Sequence, residues 1–323
     1  MDDAPPGVPV MESTRLDGFG QPVIDAAVAG RTHPGQRRSE NQDNFLIGDL
    51  TGADDAVLLR GDTSGAAGGV GARLATAERG ALLVVADGMG GAAAGRLASG
   101  LVCTFVLTEL QESWSVDRDN TPRRFAFRLR EAVERANVRI HQHAQRHPEC
   151  LGMGSTATVA GLLDGFLYLA QVGDSRGYLV RSGFTTQITR DQSLVQQMLD
   201  AGAITVEAAE QSAHGNVILQ ALGVEPKVAV DLTYLEVRRG DFLLLCSDGL
   251  HRMVRPEEIA AAVGRLADPD AVCEELVALA NERGGPDNIT AVAALFAGSG
   301  LQEPRADDVV RHTAFEFPDT EGV

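Results

Sequence analysis

Apolar and polar positions divide the chain into short apolar runs closed by turn residues and longer stretches of helical period. Leu82-Leu83-Val84-Val85-Ala86 is a wholly apolar run that ends in Asp87-Gly88. Thr156 to Leu163, then Asp164-Gly165, then Phe166 to Val172 predicts a hairpin with a two-residue turn. Tyr178 to Arg181, Ser182-Gly183 and Phe184 to Ile188 predict the next. Val228, Val230 and Leu232 fall at every second position, and Arg238-Arg239-Gly240-Asp241 turns the chain into Phe242 to Cys246. Ile289 to Phe296 is the last strand. Consecutive hairpins mean antiparallel sheet, because parallel strands need long crossovers.

Helical spacing appears in two regions. Leu97, Leu101 and Phe105 share a face after Gly90-Gly91. Thr121-Pro122 is a cap with proline in the first turn, and Phe125, Leu129, Val133, Ala136 and Ile140 continue that stripe. Pro256-Glu257-Glu258 opens a later helix; Asp268-Pro269 opens another, with Val272, Leu276 and Leu279 inward and Gly284-Gly285 as its stop. A further helical insert falls near 193–211. Strands, two long helices, a meander, strands and two more helices predict layered sheets covered by helix pairs, not a βαβ repeat.

Composition narrows the function classes. The chain has 323 residues, 44% hydrophobic and 23% charged, which is globular usage. Length alone predicts roughly two domains of about 150 residues. With 28 Lys+Arg against 45 Asp+Glu the net charge is -17, which counts against nucleic acid as a partner. No apolar run reaches the roughly 20 residues that span a bilayer, so no membrane partner is expected. Met1 to Val10 is acidic and proline-rich, unlike a signal peptide. Cys103, Cys150, Cys246 and Cys273 form no CxxC pair and read as buried hydrophobes in a reducing compartment. The expectation is a soluble cytoplasmic protein. Residues 1–24 read as a flexible leader, 61–80 as a Gly/Ala-rich loop within the domain, and 298–323 as a polar acidic tail, disordered around Phe315-Glu316-Phe317.

The Asp-Gly pairs are not equivalent. Asp164-Gly165 sits between two apolar strands, where a hairpin turn explains it fully. Asp87-Gly88 and Asp248-Gly249 instead end very apolar strands with no matching strand directly after them. Carboxylates held rigidly at strand ends suit a hard cation, and a following glycine lets backbone approach closely. Asp287 before the last strand, Asp174 in Gly173-Asp174-Ser175-Arg176 and Asp43 in Asn41-Gln42-Asp43 are further candidates, although turn chemistry also accounts for the first two. Several such aspartates with one arginine nearby suggest a two-metal hydrolytic site, in which paired ions orient a water and neutralise a transferring phosphoryl group.

Seven segments occur in one family's order: Arg38…Asn41-Gln42-Asp43, Val85-Ala86-Asp87-Gly88-Met89-Gly90-Gly91, Gly154-Ser155-Thr156-Ala157, Gly173-Asp174-Ser175-Arg176, Thr189-Arg190-Asp191-Gln192-Ser193, Cys246-Ser247-Asp248-Gly249-Leu250 and Gly285-Pro286-Asp287-Asn288-Ile289-Thr290. On these the chain resembles the metal-dependent serine/threonine protein phosphatases of type 2C, bacterial branch, across one domain at 25–297. The resemblance implies an α+β fold, a four-layer αββα sandwich of two antiparallel sheets flanked by helix pairs. It implies hydrolysis of phosphoserine and phosphothreonine in proteins, reversing a Ser/Thr protein kinase. The alternative is a non-catalytic relative that binds phosphoproteins.

By position, the resemblance makes Asp87 the carboxylate bridging two Mn²⁺ or Mg²⁺ ions and the Gly88 carbonyl a ligand of one. Asp248 and Asp287 become ligands of the other, and Asp174 with Asp248 holds a weaker third ion. Arg38 becomes the binder of substrate phosphate and Asp43 the group that holds waters at the metals. Residues 189–223 correspond to a flap beside the substrate cleft. Three departures stand out. Gln42 replaces a common glutamate. Met89 replaces a histidine that protonates the leaving group in animal relatives, which leaves that acid open between a metal-bound water and, less favoured, His33. The flap's Gln211-Ser212-Ala213-His214-Gly215-Asn216 departs from a basic pattern.

Overall fold

Tight turns set neighbouring apolar runs side by side, and the computed structural model shows how far the pairing extends. It describes residues 24–50, 57–61, 72–76, 79–210, 212, 214–305 and 308–316. Residues 1–23 of the 1–24 leader and most of the 61–80 segment lie outside the described residues, and Ile24 already opens the first strand. The first half contains β1 (Ile24–His33), β2 (Asp43–Asp49), β3 (Val57–Arg60), β4 (Ala72–Thr76) and β5 (Ala81–Met89), then α1 (Ala92–Ser115) and α2 (Pro122–Arg146). A meander follows in β6 (Gly154–Ser155), β7 (Ala157–Leu163), β8 (Phe166–Val172), β9 (Arg176–Arg181) and β10 (Phe184–Gln187). Short helices α3 (Leu194–Asp200) and α4 (Val206–Glu210) precede β11 (Asp231–Glu236) and β12 (Phe242–Cys246). The chain closes through α5 (Asp248–His251), α6 (Pro256–Leu266), α7 (Pro269–Glu282), β13 (Ile289–Ala297) and β14 (Thr313–Ala314).

One described sheet runs β10-β9-β12-β13-β1-β4 and the other β14-β11-β8-β7-β5-β2-β3, with β6 on the end of β5. All recorded pairings are antiparallel. Three cores follow from the alternation of side chains across each strand. Phe45, Ile47, Leu83, Val85, Leu243, Val292 and Phe296 fill the space between the sheets. The outer face of one sheet buries Val84, Val159 and Tyr168 against α1 and α2. The outer face of the other buries Leu244 and Ala293 against α5, α6 and α7. This is the four-layer αββα sandwich.

Local chemistry sets the helix starts as the pattern indicates. Thr121 Oγ1 accepts from the Arg124 amide (3.3 Å), with Pro122 in the first turn. Asp268 caps α7 through the Ala271 amide (2.9 Å). Asp117 then ties the end of α1 to α2 by accepting from Arg124 Nε (2.7 Å) and Arg128 Nε (2.8 Å).

Several expectations change. β1 has no counterpart among the predicted strands because its small residues (Ala26, Ala27, Ala29, Gly30) give a weak apolar signal; pairing with β13 from Asp25↔Ala297 to His33↔Ile289 supplies the stability. Ala72–Thr76, read as loop, is an edge strand beside β1. Val228 and Val230 precede β11 and pack on the helix-covered core. Leu97 is exposed, and α1 instead buries Ala98, Val102, Val106 and Leu110. By length and composition Ala93–Ser115 is apolar enough to cross a membrane, a property shared by core helices, and 56% of that stretch is buried. Within the tail, Thr313–Ala314 adds to the β11 edge, the Phe315 amide donates to the Leu232 carbonyl (2.8 Å), and its ring packs edge-on to Tyr234. Pairing there covers backbone groups that a sheet edge leaves open.

Phe125 anchors the α2 layer, fully buried with edge-to-face contacts to Trp114 (5.2 Å) and Tyr168 (5.4 Å). Phe125→Ala is expected to lower stability by about 3–5 kcal/mol through cavity formation. Urea denaturation checks it, and an unchanged midpoint would contradict the packing described.

Candidate metal and phosphate site

The site forms where strand ends from both sheets meet. Asp43 opens β2 and lies directly across from Asp87 on β5. Opposed residues of an antiparallel pair project to one face, so two carboxylates are forced together. Asp248 begins α5 just after β12, and Asp287 lies two residues before β13. Asp174 lies in the turn between β8 and β9. Asp87, Asp174, Asp248 and Asp287 line one open cleft of about 440 Å³, together with Gly88, Arg38, Gln42 and Met89. Asp43 is wholly buried just beneath it.

Each acid has its own support. Asp43 Oδ2 accepts from Ser247 Oγ (2.7 Å) and Thr290 Oγ1 (2.7 Å), while Oδ1 is buried with no partner. The Asp87 amide donates to Thr156 Oγ1 (3.0 Å), and its carbonyl accepts from the Thr156 amide (2.9 Å). Buried Asn288 staples the loops around Asp287: its Nδ2 donates to the Pro34 and Glu40 carbonyls, each at 2.9 Å, and its Oδ1 accepts from the Gln42 amide (2.8 Å). His251 Nε2–H donates to the Asp174 carbonyl (3.0 Å). The two Asp-Gly glycines are required by close packing. A Cβ on Gly88 would lie 2.0 Å from the Gly95 carbonyl oxygen, and one on Gly249 would lie 2.0 Å from that of Asn288.

Electrostatics dominate this end of the molecule. Burial, opposed by the Ser247 and Thr290 hydroxyls and reinforced by Asp248, pushes the Asp43 carboxyl up to about 7. Burial, then Asp43, Asp248 and Asp174, drives Asp87 well above the carboxylate range. Asp174 rises to about 7 through burial and Asp248. Burial also raises Asp248, against the opposing pull of Arg252. Two guanidiniums answer five carboxylates. Arg38 Nη2 pairs with Asp287 Oδ2 (2.7 Å), and Arg252 Nη2 lies 3.1 Å from Asp248 Oδ2 and 3.3 Å from Asp174 Oδ2.

Among the described residues no three His, Cys, Asp or Glu side chains form a closed ligand cage. The donors nevertheless fit a hard divalent cation: all are carboxylate or carbonyl oxygens, they carry surplus negative charge, and buried Asp43 Oδ1 and Asp248 Oδ1 have no partner. Asp87, Asp248, Asp287, Asp174, Gly88 and Arg38 are thus brought to one cleft, with Asp43 behind them. His33 is not among the cleft's lining residues; its Nδ1 accepts from the Gly35 amide (2.9 Å) and closes a local turn. Met89 does line the cleft but has no transferable proton. The supports Ser247, Thr290, Thr156 and Asn288 stood beside the predicted aspartates in sequence without an assigned part. Arg252, four residues after Asp248, was missed; its i,i+4 spacing to that acid was the available signal.

The family model described as protein phosphatase 2C matches residues 76–278. The chain is 39% identical over 213 residues to the serine/threonine protein phosphatase PstP of Mycobacterium tuberculosis, covering 66% of this chain and 40% of that protein. It therefore spans less than half the length of that relative. It is 35% identical over 209 residues to the serine/threonine phosphatase stp of Listeria monocytogenes, covering 65% of this chain and 82% of the relative. Among solved structures, the M. tuberculosis PstP/Ppp crystal structure superposes with a TM-score of 0.67 at 34% identity, over 87% of this chain and 100% of that one. The PstP catalytic domain in complex with two manganese ions superposes with a TM-score of 0.64 at 33% identity, over 85% of this chain and 99% of that one.

A carboxyl whose folded pKa lies above its unfolded value, near 3.9 for aspartate, favours the folded state only while protonated. Stability contributed by Asp43 and Asp174 is therefore present at acid pH and lost as pH rises from about 4 through about 7. The melting temperature of chelator-treated protein is expected to fall between pH 5 and pH 8, and Mn²⁺ at pH 8 is expected to restore it. A flat profile would count against the charge crowding.

Proposed function

Since the chain belongs to the protein phosphatase 2C family, we propose that it is a metal-dependent protein-serine/threonine phosphatase. The observation that carries this reading is the convergence of Asp87, Asp248 and Asp287 with Arg38 on one open cleft. Asp87, the Gly88 carbonyl, Asp248 and Asp287 would hold two divalent cations, Mn²⁺ or Mg²⁺, and Asp174 with Asp248 would hold a weaker third. Such a cation pair supplies a water of lowered pKa and neutralises charge on a transferring phosphoryl group.

The chain's own residues do the rest. Arg38, half-exposed at the rim, presents a planar fork to the phosphate monoester and fixes its orientation. Asp43, held by Ser247 and Thr290 on one oxygen, keeps the other for water at the cleft floor. The buried cysteines take no part: burial pushes the thiols of Cys103, Cys246 and Cys273 up, away from the thiolate a covalent mechanism needs. An open cleft suits phosphorylated protein segments, whose phosphoryl groups a Ser/Thr protein kinase supplies. All four cysteines are free, consistent with a cytoplasmic location. A non-catalytic phosphoprotein binder has no use for the crowded acids, and their charge surplus favours the enzyme.

Turnover of a phosphothreonine peptide is expected to require Mn²⁺ and to stop on chelation. Asp87→Asn is expected to abolish both cation binding and turnover; full activity in that variant would reject the metal assignment. Arg38→Ala is expected to raise KM about 10- to 100-fold with a smaller effect on kcat, as loss of charge-assisted phosphate bonds would. A pure loss of kcat would assign Arg38 to the transition state instead.

A further inference from the structure

The segment from Ser193 to Ala221 borders the cleft, and its described residues have little apolar anchorage. α3 buries none of its residues, and Val206, Val217 and Leu219 are exposed. Its base is tied by single bridges, Ser193↔Ile218 and Ser155↔Leu222. Segments with so few buried apolar contacts open at low free-energy cost. Asn216 and Ile218 nevertheless line the cleft.

Arg252 reaches this segment from the helix-covered framework. It leaves the end of α5, donates from Nη1 to Asn216 Oδ1, and donates from Nη2 to the Gly215 carbonyl (2.6 Å). The same Nη2 serves Asp174 Oδ2 at 3.3 Å and stands 3.1 Å from Asp248 Oδ2. A guanidinium nitrogen carries two hydrogens, so these acceptors share it. Its position among them is held by the charge of the two carboxylates, which are mostly buried while Arg252 is 28% exposed.

We propose that Arg252 is a positioning residue that latches the Gly215–Asn216 segment over the cleft, and that a divalent cation taken up by Asp174 and Asp248 loosens the latch. The inference rests on the reading of this cleft as a cation site. A dication attracts both carboxylates more strongly than a guanidinium does and repels the guanidinium itself. The two occupants compete for the same negative charge. By linkage, the cation weakens the charge contact of Arg252 with the two carboxylates by the same factor as that contact weakens cation binding. The residue thereby connects access to the cleft with its ion content.

Hydrogen exchange of residues 212–219 and Mn²⁺ titration calorimetry test this without any turnover. In the wild type, exchange in this segment is expected to rise on Mn²⁺ saturation. Arg252→Met is expected to show the faster exchange already in chelator, with no further rise on Mn²⁺, and to bind its weaker Mn²⁺ about fivefold or more tightly than the wild type. Arg252→Lys keeps the charge but not the fork, so it is expected to loosen the segment while leaving the isotherm near the wild type. It serves as the decisive variant if the methionine protein does not fold. Wild-type exchange in Arg252→Met or, should that protein not fold, in Arg252→Lys overturns the proposal, as does an unchanged isotherm in Arg252→Met. Failure of the wild type to bind Mn²⁺ at all would instead reject the cation reading, while the exchange comparison in chelator still decides the latch.

Discussion

Two aspartates face each other across neighbouring strands, and much of this molecule is arranged around that fact. The β2–β5 register sets Asp43 opposite Asp87, and the sandwich buries Asp43 completely while leaving Asp87 half-buried at the cleft. Like charges so placed are unfavourable, and burial makes them more so. Ser247 and Thr290 relieve one oxygen of Asp43. They belong to the other sheet's strand ends, so the acid pair draws on groups from across the sandwich.

That dependence explains why the cleft lies where it does. Asp87 comes from one sheet, Asp248 and Asp287 from the ends of two strands in the other, and Asp174 from a turn that links the sheets. Asp87 sits on a strand and Asp248 on a helix turn, which position side chains more accurately than loops can, and Asp174 and Asp287 lie within two residues of strand ends. The loop that carries Arg38 is held by Asn288, whose amide bonds the Pro34 and Glu40 carbonyls and the Gln42 amide. Close approach of Gly88 to Gly95 and of Gly249 to Asn288 packs backbone around the acids, leaving no room for a Cβ.

The two arginines divide the surroundings into a firm part and a loose part. Arg38 reaches Asp287 from a stapled loop, whereas Arg252 reaches outward to a segment with almost no apolar anchorage. The acids thus act on their neighbourhood through charge, gathering cationic side chains that no hydrophobic core could hold at the rim of an open cleft.

While the four-layer αββα order came from the family resemblance, the sequence pattern by itself determined antiparallel sheets covered by helix pairs, the hairpins at Asp164-Gly165 and Ser182-Gly183, the caps at Thr121 and Asp268, and the candidate aspartates. These depend on local turn chemistry and on periods of two or 3.6, which act over a few residues. Only the tertiary structure decided the rest. β1 and Ala72–Thr76 are strands because β13 and β1 offer edges, not because their small residues prefer extension. Phe315 is docked because Tyr234 and the β11 edge lie open to it. The burial that raises the Asp43 and Asp174 carboxyls, the hydroxyls that hold Asp43, and the reach of Arg252 to Gly215 all join residues far apart along the chain. No local pattern encodes such distances; they exist only once two sheets have packed face to face.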